Sequence, residues 1–177
     1  MAQTDALTGV LSRRHVLELG QRMMQRCRRD GRPCAMLMLD VDRFKEINDR
    51  YGHLAGDEIL TNLCKIIKDH IKYSDAVGRW GGEEFVISLP GAGAEQAQQI
   101  AERIRASMSK LLVYNLERTT IPSPTISQGI AIFPAEAQEA IKLIDLADKR
   151  LYVAKERGRN QIEPDLHHWL TLNESSK

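Results

Sequence analysis

Two glycines followed by two glutamates, in Arg79-Trp80-Gly81-Gly82-Glu83-Glu84-Phe85, constrain this chain more than any other run of residues. The flanking segments Ala76-Val77-Gly78-Arg79-Trp80 and Phe85-Val86-Ile87-Ser88-Leu89, the second ending at Pro90, read as strands, so the heptad predicts an antiparallel hairpin. Glycines at 81 and 82 tolerate positive φ and carry no side chain, which lets a turn bring its backbone against a ligand. Glu83 and Glu84 are then expected at the tip, where adjacent carboxylates suit a metal-dependent phosphate site. A Gly-Gly turn bearing exposed acids also describes a plain solvated hairpin. The heptad acquires chemical meaning only if other residues converge on it.

Composition limits what those residues can do. A chain of 177 residues suffices for a single core and leaves little for a second. Its 25 basic and 24 acidic residues leave a formal charge of +1, which gives no global field to recruit a nucleic-acid polymer or a membrane surface. Phosphate affinity must therefore be local. Cys27, Cys34 and Cys64 are odd in number and have no zinc-like spacing, so reduced thiols and a cytoplasmic setting are expected. No apolar run approaches the ~20 residues of a membrane span, although a longer parent protein could still be membrane-anchored.

Periodicity predicts an α/β (α+β) domain. Val16, Leu19, Met23 and Met24 place an amphipathic helix over His15 to Arg29, with Ser12 as N-cap and Gly31 and Pro33 as the stop. Cys34 to Leu39 is a continuous apolar run too short for a good helix, which predicts a buried central strand ending at Asp40. Helices are expected over Phe44 to Arg50, Gly56 to Lys72, Ala94 to Lys110 and Ala137 to Arg157. Thr125 to Phe133 is the clearest remaining strand, with a weaker β signal from Tyr114 to Ile121. Residues 161–177 read as a tail with a helical turn at Leu166 to Leu170.

Asp40 meets the hairpin tip if the two strands are neighbours. Hard divalent cations such as Mg²⁺ take oxygen ligands, and one or two carboxylates plus substrate phosphates are the usual set. Asp40, Glu83 and Glu84 supply such carboxylates. Lys45, about a turn into the next helix, can neutralise a phosphate, and the helix start offers backbone N–H groups to an anion.

Several spaced segments together resemble one known family. Asp5-Ala6-Leu7-Thr8 with Arg13-Arg14, then Asp40-Val41-Asp42-Arg43-Phe44-Lys45 continuing to Asn48-Asp49, Gly52-His53 and Gly56-Asp57, form the first part. Thr125-Ile126-Ser127-Gln128-Gly129-Ile130-Ala131, and Asp148, Leu151-Tyr152, Ala154-Lys155 and Gly158-Arg159-Asn160, form the rest. With Gly81-Gly82-Glu83-Glu84-Phe85 between them, the chain resembles a GGDEF domain, the catalytic module of diguanylate cyclases, over residues 4–160. The resemblance implies a nucleotide cyclase or polymerase-palm fold, a central mixed or antiparallel sheet flanked by helices. It divides the chain into a domain over 1–160 and a tail over 161–177, and implies a regulatory domain preceding the Asp5 signature.

The resemblance also implies roles. Asp40, the carbonyl of Val41, Glu83 and Glu84 correspond to ligands of Mg²⁺, with Mn²⁺ as the alternative ion. Glu83 corresponds to a base acting on the ribose 3′-hydroxyl and Lys45 to a catalytic cation. Phe44, Lys45, Asn48, Asp57, Arg79, Lys155 and Arg159 correspond to substrate contacts, Asn48 and Asp57 reading guanine, so GTP is the implied substrate and cyclic di-GMP the product. Catalysis then needs a second GGDEF domain, as a homodimer. The chain departs from the family at Lys72-Tyr73-Ser74-Asp75, where many members have Arg-x-x-Asp in a product-inhibition site completed by the counterpart of Arg103. Lysine keeps the charge and loses the guanidinium fork, which implies weakened inhibition. The alternative function is a catalytically silent domain that binds GTP or cyclic di-GMP.

Overall fold

A computed structural model describes residues 2–165. Along the chain run α1 (Arg13–Asp30), β1 (Cys34–Val41), α2 (Phe44–Tyr51), α3 (His53–His70), β2 (Ala76–Arg79) and β3 (Glu84–Pro90). These are followed by α4 (Ala94–Met108), β4 (Val113–Tyr114), β5 (Thr120–Ile121), β6 (Ile126–Phe133), α5 (Ala140–Glu156) and β7 (Ile162–Glu163). The main sheet has the order β2-β3-β1-β6-β7. Its strands pair antiparallel except β6 and β7, which are parallel, so the sheet is mixed.

β1 is apolar from Cys34 to Leu39 because helices cover both faces of the sheet. Ala35, Leu37, Leu39 and Val41 join the core under α3 and α4, while Cys34, Met36 and Met38 join the one under α1 and α5. Strand alternation thereby fixes the face of every later residue, and places Asp40 on the α1/α5 side. Gly129 of β6 lets α5 lie close: a Cβ there would sit 1.9 Å from the Ala147 carbonyl oxygen. Ser12 caps α1 by accepting from the His15 N–H. Cys27, Cys34 and Cys64 are free and buried, and burial pushes the Cys34 thiol up to about 12. Among the described residues no helix is long and apolar enough to cross a membrane.

Several expectations are corrected. The packed fold continues past residue 160, because Ile162 and Glu163 pair with Gln128 and Gly129 as a fifth strand. The weak β signal resolves into β4 and β5, a separate two-stranded sheet. α3 starts earlier than predicted, at His53, because Gly52 at φ 89° breaks the chain only briefly after α2. Neither Gly81 nor Gly82 adopts positive φ. At Gly81 a Cβ would lie 2.6 Å from Glu84 Oε2, so a side chain there would displace the Glu84 carboxylate. The turn expected at Leu166 to Leu170 lies outside the described residues.

Candidate active site

The sheet brings the two acidic stretches together. In register, Asp40 stands opposite Glu84 of β3 on one side and Ser127 of β6 on the other. The Val41 N–H donates to the Glu83 carbonyl at 3.3 Å, which ties the hairpin turn to the end of β1. From the last turn of α5, the Lys155 ammonium donates to Asp40 Oδ2 at 2.7 Å. The Asp40 side chain is 5% exposed and that of Lys155 31% exposed. Burial pushes the Asp40 carboxyl up to about 6, Lys155 opposes the rise, and Glu83 and Glu84 add to it. Glu84 is also raised, by burial and then by Asp148 of α5, with Lys155 and Arg13 opposing. Several carboxylates thus crowd one ammonium, and the pocket favours further positive charge.

Arg79, expected as a substrate contact, bridges two segments of the chain. Its guanidinium donates to both carboxylate oxygens of Asp5 at 3.2 Å and to the Gly82 carbonyl at 3.1 and 2.7 Å. Asp5 also accepts from the Thr8 N–H and hydroxyl. The Asp-x-Leu-Thr segment is therefore a brace for the glycine turn. Beside it, the Arg13 guanidinium lies 4.3 Å from the centre of the Trp80 ring. Nothing in the local pattern could have revealed the Asp5–Arg79 link, because its members are 74 residues apart.

α2 follows β1 directly and carries the residues matched to nucleotide contacts. Its N-cap is Arg43 in the left-handed conformation, with no side-chain capping bond, so the first-turn N–H groups retain their affinity for an anion. Lys45 is exposed on that turn and Phe44 is half-buried. The Asn48 Oδ1 is buried without a hydrogen-bond partner. It lies against Gly56, where any side chain would collide with it. A buried amide oxygen in that state has hydrogen-bonding capacity that no group of the described chain fills. Asp57 follows on α3 and is half-buried.

Asp42 acts as a tie between elements. It is 5% exposed, and it accepts from the Ser127 hydroxyl at 2.6 Å, the Thr125 hydroxyl at 2.7 Å and the Asn160 N–H at 3.0 Å. These bonds fasten the loop carrying Arg159 to the end of β1. Arg159 lines a cleft of about 450 Å³ with Asp42 and Arg43, whereas Asn48 and Asp57 stand outside it on α2 and α3.

Donor chemistry decides whether a metal fits. Asp40, the Val41 carbonyl, Glu83 and Glu84 offer oxygen alone, the set that Mg²⁺, Ca²⁺ or Mn²⁺ prefers. Among the described residues no three acidic, histidine or cysteine side chains already converge on one point. Lys155 is the cation that Asp40 meets. The donor types and the excess of negative charge fit a hard divalent ion, with closure of the set left to the ion itself. The remaining candidates lie elsewhere: Lys72 and Asp75 form the turn between α3 and β2, and Arg103 is exposed on α4.

Comparison with known proteins gives a consistent result. Residues 2–161 match the family model described as diguanylate cyclase, GGDEF domain. Diguanylate cyclase DosC of Escherichia coli K12 is 40% identical over 161 residues, covering 90% of this chain and 34% of that protein. The chain thus spans about a third of the length of the curated relatives it matches. The GGDEF domain of DgcB from Caulobacter crescentus, solved in complex with c-di-GMP, superposes with a TM-score of 0.85 at 28% identity, covering 92% of each chain. The active GGEEF domain of a diguanylate cyclase from Vibrio cholerae gives a TM-score of 0.78 at 30% identity, covering 85% of this chain and 94% of that one.

Proposed function

Because the chain belongs to the diguanylate cyclase GGDEF-domain family, we propose that it is one half of a diguanylate cyclase, condensing two GTP into cyclic di-GMP and two pyrophosphates. The observation that carries this reading is the cross-strand pairing of Asp40 with Glu84, which joins two acidic segments at one sheet end beside Lys155. A divalent cation held by Asp40, the Val41 carbonyl, Glu83 and Glu84, with Mg²⁺ as the choice and Mn²⁺ as the substitute, would supply Lewis-acid polarisation of the phosphoryl oxygens.

The residues of the chain do the rest. Asn48 and Asp57 bind guanine, the carboxylate of Asp57 accepting from ring and amino N–H groups that adenine does not present together. The start of α2, with Phe44 and Lys45, receives the phosphates, and Lys155 and Arg159 balance their charge. Glu83 takes the proton from the ribose 3′-hydroxyl. Each 3′-oxygen then bonds to the α-phosphorus of the nucleotide on a second copy of the domain, and the bond to pyrophosphate breaks. Arg79 and Asp5 hold the turn on which Glu83 rides, so Arg79 positions the turn in addition to the substrate contact proposed for it.

Product identification with competing nucleotides tests the assignment. Purified protein with Mg²⁺ and equal GTP and ATP is expected to yield cyclic di-GMP, with ATP unchanged by chromatography and mass spectrometry. Asp57→Asn should erode that preference. ATP cyclisation at a comparable rate would overturn the guanine assignment.

A further inference from the structure

Two demands meet on the charge of Lys155. Its ammonium is bonded to Asp40 Oδ2 at 2.7 Å, and it also stabilises the charge of Glu84. Those two carboxylates are metal donors in the proposed reaction, while Lys155 is itself a proposed partner of the substrate phosphates. A divalent ion on Asp40 and an ammonium on the same carboxylate would repel each other strongly at such separations. The two compete for the charge of one carboxylate.

We infer that Lys155 is a built-in counter-ion of the metal pocket, holding Asp40 when no divalent ion is bound and released toward the nucleotide phosphates when one takes its place. The packing decides which partner moves. Asp40 is a strand residue at 5% exposure and has nowhere to turn. The backbone of α5 is fixed by Leu151 and Ala154, both buried, and by the contact of Gly129 with Ala147. The Lys155 side chain retains 31% exposure, so its flexible stem can swing the ammonium outward without moving the helix. Without the lysine, Asp40 would lose its ion-pair partner while Glu83 and Glu84 remain near it, which explains why the cation is built in. Binding of metal and binding of nucleotide are thereby coupled through one side chain, and the coupling is reciprocal.

The inference rests on the cyclase reading for the identity of the ligands, and its test separates the two. Mn²⁺ is titrated into nucleotide-free protein and free Mn²⁺ is followed by electron paramagnetic resonance, for the parent, Lys155→Met, Lys155→Gln and Asp40→Asn. Circular dichroism confirms that each variant is folded. Both lysine variants are expected to bind Mn²⁺ roughly fivefold or more tightly than the parent, since the ion no longer displaces an ammonium, and Asp40→Asn to lose the site. Equal or weaker binding by both lysine variants, or no measurable binding by any of the proteins, overturns the counter-ion role. Retention of Mn²⁺ by Asp40→Asn places the metal elsewhere and overturns the metal assignment as well.

Discussion

Asp40 carries an acid where the fold would otherwise place an apolar residue, and that choice has a measurable consequence. Its pKa rises from 3.8 to about 6 in the folded protein, with burial as the largest cause. Between those values the folded chain holds a proton that the unfolded chain has released. The contribution of this group to stability is fully present below about pH 4 and is lost as pH rises through about 6. Metal-free Asp40→Asn is therefore expected to exceed the parent in stability at about pH 7.5 by on the order of 1–3 kcal/mol. The difference should shrink toward about pH 4. Lys155, already part-exposed, returns to water when its partner is removed. Urea unfolding in a chelator at both pH values measures this, and a parent more stable than the variant at the higher pH would contradict the account. Asp42, two residues on, is the contrasting case: its acceptors are filled by Ser127, Thr125 and Asn160, so it serves geometry.

At the level of elements, the turn from α3 to β2 carries Lys72 and Asp75, the pair matched to the product-inhibition site. The Asp75 carboxylate accepts from the Lys72 N–H at 2.7 Å while the Asp75 N–H donates to the Lys72 carbonyl at 3.0 Å, closing the turn and leaving the Lys72 side chain exposed. We propose that this site binds product weakly because an ammonium replaces a guanidinium fork. Lys72→Arg is then expected to tighten cyclic di-GMP binding about tenfold, the value of one charge-assisted hydrogen bond. Calorimetry that finds the same affinity in both proteins would remove Lys72 from the site.

How much of the architecture could be read beforehand follows from element length. β1, β6, α1 and α4 declared themselves because burial on two faces or on one helical stripe imposes a pattern over many residues. β4, β5 and β7 are two residues long, shorter than a period-two signal needs, and tertiary pairing alone makes them strands. The same limit applies within the site. That Asp40 meets the hairpin carrying Glu83 and Glu84 was legible from a strand end and a hairpin, whereas the brace between Asp5 and Arg79 and the triple bond set of Asp42 depend on long-range contacts with no local signature.

At the scale of the whole molecule, the proposed catalytic residues gather at one end of the sheet, and the proposed reaction joins two nucleotides. On the proposed reading each domain would supply one metal pocket, one pair of guanine readers and one set of phosphate cations, so two domains would have to face each other for either 3′-hydroxyl to reach an α-phosphate. Pairing two loaded domains makes the encounter effectively intramolecular, which is worth ~7–11 kcal/mol of barrier when orientation is right. The most direct test is the rate of cyclic di-GMP formation per chain, measured by chromatography over a range of protein concentrations with sedimentation on the same samples. The account predicts cyclic di-GMP as product, with a per-chain rate that rises with concentration and levels off as dimers form. A rate per chain that stays constant where sedimentation shows only monomer, or GTP consumption without cyclic di-GMP, would contradict it.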